Sequence, residues 1–135
     1  MDYRAFAIQF INYMLTRKHA WKIEGVSDLP KGAYGVLSFL YYHNNGASVG
    51  ELTEYLQVTS GRTTALLQRL ERRDLIQREQ STADKRVFFT FLTEEGRRQV
   101  ELEYARMITF FTKRFEKLGE EDTHAYIRII KKLFD

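Results

Sequence analysis

The sequence predicts a mainly α-helical chain with one small β-hairpin, an α+β arrangement. Three observations carry the prediction. Apolar residues recur at helical spacing over most of the chain, as Phe6, Phe10 and Tyr13 do near its start. From Leu75 to Leu92 the pattern changes to two short runs rich in β-formers, LIQRE and RVFFTFL. Their connection, QSTADK, is too short for a crossover, so the two runs pair antiparallel.

Each element follows in order. Residues 2–18 read as a helix, its stripe widened by Ala7, Ile11 and Met14. EGVSDLPKG breaks it with Gly25, Gly32 and the only proline, Pro30. A second helix is expected from about Lys31 to His43, with Tyr34, Leu37, Phe39, Leu40 and Tyr41 supplying bulk. NNGAS ends it. Ser48, with Glu51 three residues on, forms a capping box for a short helix carrying Leu52 and Leu56. After the turn QVTSG, a helix from Thr59 or Ser60 to about Arg73 should bury Thr63, Leu66, Leu67 and Leu70. Its outer face would carry Ser60, Gly61, Arg62, Thr64, Ala65, Gln68 and Arg69. Beyond the hairpin, Thr93 caps a long helix toward Leu118, with Glu94 and Glu95 at the positive end of its dipole. Gly119 separates it from a last helix with Tyr126, Ile127, Ile130, Leu133 and Phe134.

Helix, short helix, tight turn, helix, hairpin is the order of a winged helix-turn-helix. The reading is a single domain over 1–135. Residues 29–92 form the DNA-binding part, and 1–28 and 93–135 form dimerisation helices. The aromatic stripes on the terminal helices either cover one another within one chain or form a seam between two copies. The seam fits a class of proteins that reads palindromes by two-fold symmetry.

Composition bounds the function. A hydrophobic fraction of 44% supports a packed core, and the absence of cysteine excludes disulfides, thiol redox sensing and thiolate metal sites. No apolar run approaches the ~18 residues of a spanning helix, and the N-terminus lacks a small-residue cleavage site. The expectation is a cytoplasmic protein with no membrane partner. Net charge is only +3, but residues 59–86 carry seven basic and four acidic side chains while the rest is neutral. Such clustering is the form an electrostatic footprint takes.

The stretch VTSGRTTALLQRLERRDLIQREQSTADKRVFFTFLTEEGRR resembles the MarR family of winged-helix transcription regulators. The wing carries its most specific part: Asp84-Lys85-Arg86, a strand ending in Leu92-Thr93, then Gly96. Asp74 departs from the glycine frequent at that helix exit. The resemblance implies a homodimer with intertwined terminal helices, two recognition helices in successive major grooves of double-stranded DNA, and two wings in flanking minor grooves. It further implies, as in many members, a small-molecule effector in a cleft between the two parts, hence a ligand-responsive repressor on a near-palindromic operator.

On that footing Arg62 can pair bidentately with guanine, and Gln68 can reach an adenine edge or a phosphate. Thr59, Ser60, Thr64 and Arg69 suit phosphate and base contacts, and Gly61 allows close backbone approach. Arg86 is expected to enter the minor groove, guided by Asp84, with Lys85 on a phosphate. Trp21, Tyr34 and Tyr41 are candidates to line an effector cleft. Against all this stand plainer readings: a solvated polar helix face, a surface ion pair worth ~0–1 kcal/mol, and core aromatics. No phosphate loop or His-Glu-x-x-His motif occurs, and the three histidines lie far apart. The expectation is neither an enzyme nor a cofactor protein. A winged helix used for protein contact is the alternative, and it would show no salt-dependent DNA affinity.

Overall fold

A computed structural model describes residues 1–15 and 32–135. Its order is α1 (Tyr3–Leu15), α2 (Ala33–Tyr42), β1 (Ala47–Ser48), α3 (Val49–Leu56), α4 (Ser60–Arg72), β2 (Ile76–Gln80), β3 (Phe88–Leu92), α5 (Glu94–Leu118) and α6 (Glu120–Phe134). The sheet runs β1-β3-β2 and is antiparallel throughout.

The capping chemistry is as expected. Ser48 and Glu51 form the reciprocal box at α3, and Thr59 and Thr93 accept from the amides of Arg62 and Gly96. Three boundaries differ. The sequence suggests only a loop at β1; its two residues pair with Thr90 and Phe89 because β3 offers them a free edge. β3 starts at Phe88 and not at Arg86, because the amides of Arg86 and Val87 turn back to Asp84 instead of pairing with β2. β2 begins one residue later than LIQRE and ends at Gln80. Asp74 adopts φ 59, the left-handed conformation glycine would take there more easily. The expected exit after α4 is thus kept without the glycine.

Two cores result. One joins Val36, Leu37 and Leu40 of α2 to Leu52 and Leu56 of α3, Leu66, Leu67 and Leu70 of α4, Ile76 of β2 and Val100 of α5. The other joins Ala7, Phe10, Ile11 and Met14 of α1 to Ile108, Phe111 and Phe115 of α5. α5 therefore belongs to both. Its start is locked onto the winged helix at one point. Thr93 donates from its amide to the Leu75 carbonyl (3.1 Å) and from its hydroxyl to the Asp74 carbonyl (2.7 Å). A Cβ on Gly96 would lie 2.0 Å from that Leu75 oxygen, so glycine is what lets the first turn of α5 sit there.

The terminal aromatics are partly used within the chain. Phe10 packs edge-on to Phe111 and Phe115 and against Tyr126, and the Tyr104 hydroxyl donates to Asn12 (2.8 Å). The outer face of α6 is not covered: Ile129, Leu133 and Phe134 are 53%, 73% and 48% exposed.

Candidate nucleic-acid interface

α4 is an amphipathic helix held at both ends. Its inward residues Thr63, Leu66, Leu67 and Leu70 are all buried, as the spacing predicts. Thr63 also receives a hydrogen bond from the Thr53 hydroxyl of α3 (2.9 Å). That bond fixes the crossing of the helix-turn-helix from inside, and periodicity alone does not reveal it.

The outward face matches the expected set closely. Thr59, Ser60, Gly61, Arg62, Ala65, Gln68 and Arg69 are exposed, and Thr64 is half-buried. Thr59 has a second duty, since its side-chain oxygen caps the helix by accepting from the Arg62 amide (3.1 Å). A Cβ on Gly61 would meet nothing within 4 Å, so any need for glycine there lies outside this chain.

The wing is a structured loop. The Ser81 amide donates to the Val87 carbonyl (2.8 Å), closing the hairpin. The Ser81 hydroxyl accepts from the amides of Ala83 and Asp84, and Gln80 Nε2 donates to the Lys85 carbonyl (2.7 Å). Within this frame Asp84 grips Arg86 three times: from the backbone amide (3.0 Å) and from Nε and Nη2 (each 3.1 Å). The Arg86 side chain is still 90% exposed. Its hydrogen bonds, first those of the guanidinium and then that of the amide, hold the Asp84 carboxyl below the usual carboxylate range. The grip is therefore complete at neutral pH. Lys85 is exposed beside it.

Of the effector candidates, Trp21 lies outside the described residues. Tyr34 and Tyr41, two turns apart on α2, both look toward α5. Tyr41 is engaged: its hydroxyl donates to Glu101 (3.1 Å) and Arg97 lies over its ring. Tyr34 is not: its buried hydroxyl has no well-formed hydrogen bond among the described residues. Burial pushes its pKa well up, and Ser38 offsets this only in part. Neighbouring Tyr42 is pushed up to about 12, again chiefly by burial. Glu103 is buried nearby, with one oxygen on Arg106 (2.6 Å) and the other unpartnered among the described residues. His43 packs against the rings of Phe39 and Tyr55. Among the described residues no helix is long and apolar enough to cross a membrane.

An exposed basic helix face beside a hairpin with an extended arginine defines the winged helix-turn-helix class of regulators. A profile of the MarR family matches residues 27–87. An uncharacterised HTH-type transcriptional regulator of Bacillus subtilis, YwhA, is 23% identical over 138 residues, covering 98% of this chain and 99% of its own. A mutant of Staphylococcus aureus MepR superposes with a TM-score of 0.69 at 26% identity over 78% of each chain. The YusO protein of Bacillus subtilis does so with a TM-score of 0.67 at 26% identity, over 93% of this chain and 84% of its own. Together these similarities support a MarR-family winged-helix transcriptional regulator. That family is one of regulators and not of enzymes.

Proposed function

We propose that the protein is a ligand-responsive repressor that binds a near-palindromic operator as a homodimer. The exposed face of α4 enters the major groove, and Arg86 enters the minor groove. The observation that carries this reading is the Asp84–Arg86 grip. An arginine held by three hydrogen bonds yet 90% exposed is pre-aimed at something outside the chain. Aiming a free guanidinium would otherwise cost rotamer entropy on binding. A narrow minor groove, with its enhanced negative potential, is the partner such a group suits.

In the major groove, Arg62 and Gln68 are the base-reading candidates, with Thr59, Ser60, Thr64 and Arg69 on phosphates and Gly61 allowing close approach. Lys85 adds a screened phosphate contact. The homodimer is supported by the exposed Ile129, Leu133 and Phe134 of α6, one of the terminal helices to which the sequence reading assigns dimerisation. Ligand response is supported by Tyr34, because a buried hydroxyl with no well-formed partner among the described residues destabilises by ~1–3 kcal/mol unless something completes it.

The test is operator selection from genomic fragments with purified protein, followed by binding at several salt concentrations. Arg86→Ala should weaken operator binding by ~1.5–3 kcal/mol, the range of a charge-assisted contact, with the circular dichroism and dimer unchanged. Equal affinity in both proteins would refute the wing contact. Absence of salt-dependent DNA affinity would instead favour a winged helix used for protein contact.

A further inference from the structure

Arg78 stands at the middle of β2, on the face that looks inward. Its neighbours in that register are Ile76, which is buried, and Thr90 across the ladder, which is fully buried. An apolar side chain would suit this position. The chain instead places an arginine there, with a side chain only 26% exposed. Its Nε is buried with no hydrogen-bond partner among the described residues. Burying a guanidinium this incompletely satisfied is unfavourable, so the groups it does meet are informative. Nη2 lies 3.6 Å from Oε1 of Glu71, in the last turn of α4. The guanidinium carbon lies 5.7 Å from the ring centre of Phe88.

Those partners belong to the two parts that address DNA in the proposal above. Glu71 is part of the recognition helix. Phe88 is the first residue of β3 after the wing turn and only two residues from Arg86. It is 38% exposed, so the core does not hold it firmly. A flat guanidinium can meet a carboxylate along its edge and a ring across its face at once. The geometry points to Arg78 as a positioning residue that sets the wing relative to the recognition helix, so that both grooves are met in one register. This rests on the wing contact proposed above. Arg78 itself acts through Phe88 and Glu71 and need not touch DNA.

The test uses the absence of cysteine in the chain. Spin labels at Ala83→Cys in the wing and Ala65→Cys on α4 report their separation by double electron–electron resonance without DNA. Arg78→Met, which keeps the stem and removes the charge, should widen that distance distribution, and Arg78→Lys should largely restore it. In binding, the penalty of Arg86→Ala should be tenfold or more in the parent and under twofold in Arg78→Met. Thermal melts establish that each variant is folded, and Glu71→Gln gives a second, milder break of the same link. An unchanged distance distribution overturns the proposal. So does an Arg86→Ala penalty that is the same in both backgrounds, because a merely stabilising Arg78 would give that result. If Arg86→Ala has no effect even in the parent, the wing contact fails, and the distance distribution alone decides for Arg78.

Discussion

Asp84 and Arg86 are two residues apart, and that spacing makes their pairing legible in the sequence alone. The pairing also makes a pH prediction. The folded carboxyl is held below its ordinary pKa, so the grip is intact above the ordinary carboxylate range and opens only as pH falls through the lowered value. Arg86→Ala should raise the Asp84 titration midpoint toward the ordinary value, which carboxyl-carbon NMR can read; an unmoved midpoint would mean the grip does not persist in solution. Gly96 makes a second local prediction. Gly96→Ala should destabilise the fold by ~3 kcal/mol, the upper end for overpacking, because the new methyl meets a carbonyl and not a flexible side chain. Chemical denaturation measures this, and a loss under ~0.5 kcal/mol would show that the α5 junction can yield. Arg78 shows where reading residues one by one fails. In the sequence it is one more charge of the basic segment. Its only signal is an arginine on the inward alternation of a strand, two residues after a buried isoleucine.

Among the elements, α4 is the most legible. A helix of mixed polarity divides into faces by period alone, so its buried set is predictable and so is its exposed set, apart from the half-burial of Thr64. α3 follows from its capping box. Ser48→Ala should cost about 1 kcal/mol of stability through loss of that box, measurable as a shift in denaturation midpoint. The strands are legible in kind but not in extent. Where β3 begins depends on whether the amides of Arg86 and Val87 bond across the ladder or back into the turn, and both options are open to an extended chain. β1 is invisible in the sequence, since two residues between Gly46 and a helix carry no pattern of their own.

For the whole molecule, α5 is the connecting member. One end packs in the winged-helix core through Val100 and the other in the α1–α5 core through Phe111 and Phe115. Thr93 and Gly96 bind its first turn to the exit of α4. Thr93 and Gly96 thus give α5 direct backbone contact with the exit of α4, the route along which the effector proposed near Tyr34 would act. The uncovered face of α6 gives the association prediction. Leu133→Lys and Ile129→Lys together should shift the protein toward monomer in sedimentation and weaken operator binding, with the helical content kept. Selected operators should be near-palindromes with half-site centres ~34–36 Å apart. A variant that stays dimeric would move the seam away from α6.

Helical period, caps and the Asp84–Arg86 spacing are all readable from residues within a few positions of each other, and those short-range rules are enough for the order of the helices and the hairpin, the exposed face of α4 and the resemblance to the family. The Thr53–Thr63 bond, the contact of Gly96 with the Leu75 carbonyl, the β1–β3 edge and the bridge of Arg78 from Glu71 to Phe88 cannot be read that way. Nor can the division of the terminal apolar residues, in which Phe10, Phe111 and Phe115 turn inward while Leu133 and Phe134 remain outside. Each depends on which distant segments meet in space, and local pattern does not carry that information; packing decides it once the elements have formed.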